Sequence, residues 1–262
     1  MTTADLGYFY KGRVLNFAHR GASAQAPANT LSAFRLAAEL GADGVELDVQ
    51  LSRDGEAVVI HDFTVDATTN SSGAVVEKTL AELQALDAGS WFDAAFAGEH
   101  IPTLQEVMDA VGHRLLLNIE IKLPFTLANT GLETEVVRLI EDNNLVERVI
   151  VSSFHPLALR RVKSLNRHIP TGLLYAHDLP VYLRRAWLAP LAPHEARHPD
   201  FVMVTPAYVR AMKAKGYRIN VWTVDDPDEM HRLLDLGVDA IITNRPDVLH
   251  QVMSPPPVYG GA

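Results

Sequence analysis

The stretch ELGADGVELDVQLSRDGEAVVIHD, residues 39–62, holds the reading on which the fold turns. Gly41 reads as the C-cap of a helix, because glycine tolerates the left-handed conformation that ends one. A strand follows over Gly44 to Gln50, and Asp54-Gly55 is a strong hairpin signal between QLSR and EAVVIHD. The same helix, glycine, strand order returns in DLGVDAIIT at 235–243. Side chains alternate along a strand, so Glu46 and Asp48 share one face. Two carboxylates on a core strand are costly unless something positive lies between them.

Outward from this unit, β-type runs alternate with amphipathic helical runs. The strands are expected at Val14 to Ala18, Gly44 to Gln50, Arg114 to Ile121, Arg148 to Ser152, Thr171 to Tyr175, Phe201 to Val204, Arg218 to Trp222 and Asp239 to Thr243. Helices are expected at Thr30 to Leu40, Thr103 to Val111, Leu132 to Asn143, Pro156 to Asn166, Pro206 to Lys215, Pro227 to Leu236 and Pro246 to Met253. Eight such strands, without a glycine-rich nucleotide loop after the first, point to an α/β fold of the closed (β/α)8 barrel kind. An insertion over about 53–102, containing the β-hairpin, follows the second strand. Ala189 to Asp200 reads as a Pro/His-rich loop, and 254–262 (SPPPVYGGA) as an extended, poorly ordered tail. No low-complexity linker divides the chain, so 1–262 is read as one domain.

A chain of 262 residues, 48% hydrophobic, can bury a full core. Its formal charge of −9 argues against a nucleic-acid partner or an anionic membrane surface. Cysteine is absent, which excludes disulfides, thiolate metal sites and a cysteine nucleophile. The first residues lack a signal-peptide pattern and no segment has the apolar length of a membrane span. A soluble, cytoplasmic protein without stable membrane association is expected; the pattern sets no oligomeric state.

With Arg53 paired to Glu56 across the hairpin turn, His61 falls opposite Asp48 on the same face. In LLLNIEIKL, Asn118, Glu120 and Lys122 share one face, adding a third carboxylate at the C-terminal end of a strand, where barrel chemistry collects. Glu46, Asp48 and Glu120 make an all-oxygen set suited to one divalent cation, Mg2+ or Ca2+. AHRGA brings His19 and Arg20 to the same mouth. Two histidines beside a hard cation suggest a general acid and a general base. Arg20 and Lys122 supply positive charge, and a guanidinium fork matches phosphate.

At these residues the chain resembles the glycerophosphodiester phosphodiesterase family. The matching stretches are AHRGASAQAPANTLSAF, GADGVELDVQLSRDGEAVVIHDFTVDATTN, IPTLQEV, LNIEIK, VIVSSF, NVWTVDDP and GVDAIITNRPD, in order from residue 18 to 247. The resemblance implies a (β/α)8 barrel and metal-dependent hydrolysis of a small glycerophosphodiester. Positions matching the metal ligands are Glu46, Asp48 and Glu120; those matching the acid/base pair are His19 and His61, with His61 favoured as the acid. Arg20 and Lys122 match phosphate contacts, and Trp222 matches an aromatic wall beside the glycerol. The products would be glycerol 3-phosphate and an alcohol such as choline or ethanolamine.

The chain departs from the family pattern at three places. PANT replaces PENT, so Ala28 stands for an acidic residue; TNRP puts Asn244 where aspartate is usual; and Asp225 follows WTV where asparagine is common. The expectation is an active enzyme with altered metal affinity or substrate preference. Two other readings are a lysophospholipase D-like hydrolase, with Trp91, Phe92, Phe96 and Ala189 to Pro193 as an apolar rim, and a non-catalytic phosphodiester-binding barrel motivated by Ala28. Retention of both histidines and all three carboxylates argues against the last, since binding alone needs no acid/base pair.

Overall fold

The structure, a computed structural model, describes residues 6–123, 131–184 and 189–254. Its strands are β1 (Leu15–His19), β2 (Gly44–Leu51), β3 (Ala57–Val59), β4 (Leu116–Ile121), β5 (Val149–Ser153), β6 (Thr171–Tyr175), β7 (Ala196–Pro199), β8 (Arg218–Val221) and β9 (Ala240–Thr243). All but β3 are parallel, and β1 pairs with both β9 and β2, so eight strands close a barrel. β3 lies antiparallel on β2. The architecture is the expected one, and the expected tail falls almost wholly outside the described residues.

Alternation explains the two cores. Val45, Leu47 and Val49 of β2 and Leu117, Ile119 and Ile121 of β4 point outward, packing with Phe34, Leu104, Val136 and Ile140 of the surrounding helices. Residues of the opposite parity fill the barrel. Leu15, Leu116, Ala196 and Ala240, each the first residue of its strand, meet Leu6, Phe9 and Tyr10 of the short N-terminal helix Gly7–Tyr10. Phe9 stacks on Phe17 with centroids 6.0 Å apart, which closes the N-terminal end with rings. Position 44 is glycine for room: a Cβ there would overlap the Phe17 ring and the Leu116 carbonyl. With one end plugged, a ligand enters at the other.

Helix starts follow the caps in the sequence. Thr30 accepts from Ala33 N, and Thr103 closes a capping box with Glu106. Gly41 (φ 81°) and Gly237 (φ 73°) end their helices in the left-handed conformation. The helix begun at Thr103 differs from expectation in its last turn, which widens to π geometry over Met108–Gly112.

Two expectations are corrected. Phe201–Met203 is a 3-10 turn, not a strand, because the Asp200 side chain caps it by accepting from Val202 N. The strand lies earlier, at Ala196–Pro199, inside the stretch read as a loop. The hairpin register is also shifted by one: Val49 pairs Val59, Gln50 pairs Val58 and Leu51 pairs Ala57. A three-residue turn causes this, with Ser52 bonded to Glu56 and Gly55 at φ 87°. Asp48 therefore faces Ile60, whose N–H donates to the Asp48 carbonyl at 2.9 Å, and His61 is not opposite Asp48.

Inside the barrel, His198 is fully buried; Asn220 Nδ2 donates to its Nε2 at 3.0 Å, and Asn220 Oδ1 accepts from Tyr10 at 3.0 Å. Burial, helped by His194, holds its pKa down to about 3. The unfolded chain thus binds the proton more tightly, so this contribution to stability is complete above pH 6.5 and is lost as pH falls toward the folded value. By pH 4 the loss is roughly 3 kcal/mol. His198→Gln is expected to flatten the acid limb of a urea-denaturation series between pH 6.5 and 4; an unchanged limb would contradict the assignment.

Candidate active site

Parity places Glu46 and Asp48 of β2 and Glu120 of β4 inside the C-terminal half of the barrel, and register puts Asp48 beside Glu120. One oxygen from each carboxylate lies within 4.8 Å of the others, and all three residues are buried. Burial, then Asp48 and Glu120, push the Glu46 pKa well up. Burial also raises Glu120, to about 7, against the pull of Lys122. Burial acts on Asp48 in the same sense, but Arg20 and Lys122 outweigh it and hold its carboxyl below the ordinary range.

The positive groups are those the sequence singled out. Arg20 Nε lies 3.1 Å from Asp48 Oδ2, while Lys122 Nζ is 3.0 Å from Glu120 and 3.6 Å from Asp48. Arg20 has φ 55°, and its N–H donates to Glu46 Oε2 at 3.2 Å. Three buried carboxyl groups converge beside two fixed cations, and Asp48 Oδ1, 3.6 Å from Lys122 Nζ, is buried and left without a hydrogen bond. That donor set fits a hard divalent cation.

His19 and His61 flank the carboxylates. His19 Nε2 is 3.8 Å from Glu46 Oε2, and its Nδ1 is 2.7 Å from Asn244 Oδ1. Burial and then Arg20 lower its pKa to about 4. His61 sits just beyond β3, more open, with Nδ1 2.7 Å from Asp62. Burial lowers its pKa against the opposing pull of Asp48. A lowered pKa leaves the His19 ring unprotonated at pH 7, ready to accept a proton.

A cavity of about 170 Å³ joins these groups, lined by His19, Glu46, His61, Glu120 and Lys122, with Phe154 and Trp222 as walls. Trp222 meets Phe154 edge to face and donates Nε1–H to the His198 carbonyl at 2.8 Å. The expected carboxylates, histidines and phosphate-contacting cations, with Trp222, are thus at one mouth. A larger cavity, about 1520 Å³, lies outside the barrel wall near Arg160 and Tyr217 and holds none of these groups.

Asn29, Gln50 and Ser152 were not singled out from the sequence. Asn29, at φ 61°, donates Nδ2–H to Asp48 Oδ2 at 2.9 Å. Gln50 Nε2 lies 3.0, 3.0 and 2.7 Å from the carbonyls of Ile60, His61 and Asp62, tying down the backbone that carries His61. The inward parity shared by Glu46, Asp48 and Gln50 was the available signal for the latter. Asn118 Oδ1 and Ser152 Oγ are buried without partners on the cavity lining. Ala28 borders a small void of about 50 Å³ with Arg20, Asn29 and His61.

A plugged barrel with three carboxylates, two imidazoles and two cations at its open mouth is a scaffold for phosphate-ester chemistry. The chain belongs to the glycerophosphoryl diester phosphodiesterase family, whose sequence model matches residues 19–248. Membership makes it an enzyme, a phosphoric diester hydrolase. A glycerophosphodiester phosphodiesterase of Caldanaerobacter subterraneus subsp. tengcongensis is 45% identical, over 90% of this chain and 96% of its own. One from Bacillus subtilis is 34% identical, over 92% and 86%. Among solved structures, an Oleispira antarctica phosphodiesterase in complex with the product sn-glycerol-3-phosphate superposes with TM-score 0.81 at 31% identity, covering 93% of this chain and 98% of that one. Among the described residues, no helix is long and apolar enough to cross a membrane.

Proposed function

We propose that the chain hydrolyses small glycerophosphodiesters, such as glycerophosphocholine or glycerophosphoethanolamine, to glycerol 3-phosphate and the free alcohol. The reading is carried by the buried Glu46, Asp48, Glu120 triad with an imidazole on either side. These carboxylates would hold one divalent cation, Mg2+ or Ca2+, which supplies charge neutralisation at a phosphate oxygen. The chain's own groups do the rest. Arg20 and Lys122 orient the phosphoryl oxygens, and Trp222 with Phe154 shields the glycerol side from water. His19 Nε2 accepts the proton of the nucleophile, either water or the neighbouring glycerol hydroxyl whose cyclic phosphate water then opens, and His61 protonates the departing alkoxide. The product bound in the Oleispira antarctica relative has the glycerol phosphate expected here.

Product analysis by 31P NMR tests this reading. Glycerophosphocholine should yield glycerol 3-phosphate and choline in equal amounts; phosphocholine and glycerol, or faster turnover of lysophosphatidylcholine, would overturn it. Support for His61 is testable separately. Gln50→Leu removes the donor shared by the carbonyls of Ile60, His61 and Asp62 and is expected to lower kcat by 10- to 10²-fold through misplacement of the ring. Retention of full kcat would show that the 60–62 backbone holds itself.

A further inference from the structure

The two departures at 225 and 244 are bonded to each other. Asp225 Oδ2 accepts from Asn244 Nδ2 at 2.6 Å, and Asp225 Oδ1 accepts from the Asn244 N–H at 2.8 Å and the Thr243 hydroxyl at 3.0 Å. A carboxylate can only accept here, so the Asn244 amide must turn its NH2 toward Asp225. A flipped amide would set two oxygens against each other at that distance. The consequence is that Asn244 presents Oδ1, an acceptor, to His19 Nδ1 at 2.7 Å. The imidazole must then carry its proton on Nδ1, leaving the Nε2 lone pair on the side of Glu46 and the cavity. Ser23 Oγ, 2.8 Å from both Asn244 Oδ1 and the His19 carbonyl, braces the same contact.

We propose that Asp225 is a positioning residue for the hydrolysis: acting through the Asn244 amide, it fixes His19 in the Nδ1–H tautomer that directs Nε2 at the nucleophile. The assignment rests on the proposed role of His19 as base. Asp225 touches neither substrate nor cation site. Its effect is transmitted entirely by the orientation of one amide.

The pair can be exchanged. In Asp225→Asn the amide at 244 loses its orienting acceptor and can offer NH2 to Nδ1, forcing the wrong tautomer. In Asp225→Asn/Asn244→Asp a carboxylate accepts directly from Nδ1–H, and the amide at 225 can donate to it. Expected is a fall in kcat of about 10²-fold with KM nearly unchanged for the single variant, and recovery to within roughly threefold of wild type for the double. Imidazole 15N shifts, read without substrate, should report Nδ1–H at His19 in wild type and double, and its loss in the single. An unchanged kcat in the single variant, a double variant slower than the single, or an Nε2–H tautomer in wild type would overturn the proposal. A wild type with the Nδ1–H shift but no phosphodiesterase turnover would instead refute the base assignment on which it rests.

Discussion

Glu46→Gln is expected to lower turnover by at least 10³-fold while making the cation-free protein more resistant to heat at pH 8. Loss of activity would follow from removal of one of the three carboxylates proposed to hold the cation. The gain in stability follows from linkage. Burial and the neighbouring carboxylates raise the Glu46 pKa in the fold, so its contribution to stability is complete below the unfolded value and disappears as pH rises through the folded one. At pH 8, above the unfolded value, the titratable carboxyl is therefore a liability, which a neutral amide removes. Gln can still accept the Arg20 N–H through its oxygen. In a chain of this size each kcal/mol relieved raises Tm by roughly 2–4 °C. Added Mg2+ or Ca2+ should raise the wild-type Tm and leave that of the variant almost unchanged. A variant with a lower Tm, or with an intact cation response, would contradict the electrostatic account of the triad.

His61→Ala and His19→Ala should separate according to the leaving group. If His61 protonates the departing alkoxide, its removal costs about 10³-fold with glycerophosphocholine, whose choline leaves as a strongly basic alkoxide. With a glycerophosphoryl p-nitrophenyl ester the leaving oxygen needs no proton, and His61→Ala should fall within about tenfold of wild type. His19→Ala should be slow on both substrates, because the nucleophile still has to lose its proton. The settings of the two rings agree with this division. His19 is buried and bonded through Nδ1, whereas His61 stands more open at the rim. Equal rescue of both variants, or of neither, would remove the assignment.

Much of this was legible in the sequence because it rests on short-range rules. Parity on β2 and β4 set Glu46, Asp48 and Glu120 inward, and the caps at Thr30 and Gly41 framed the helix before β2. Rules of that kind lost the hairpin by one residue. Asp54-Gly55 suits a two-residue turn, but Ser52 bonds Glu56 and makes it three. His61 still reaches the site because Gln50 holds the 60–62 backbone, a contact between side chain and main chain that alternation does not encode. At β7 the apolar run FVMV looked more strand-like than ARHP. Pairing of Leu173 with Arg197 and of Arg197 with Ile219 decides otherwise, since a place between two barrel strands overrides local propensity. The orientation of His19 was beyond reach for a related reason: Asn244 lies 225 residues away, and only barrel closure between β1 and β9 brings the two together.

Cation dependence is read from release of glycerol 3-phosphate from glycerophosphocholine by protein stripped with EDTA and verified free of metal, before and after Mg2+ or Ca2+ is restored. The carboxylate triad predicts no release from stripped protein and recovery with a divalent cation. Full turnover by verified metal-free protein would mean that Glu46, Asp48 and Glu120 do something other than hold a cation, and the proposed mechanism would be wrong at its centre.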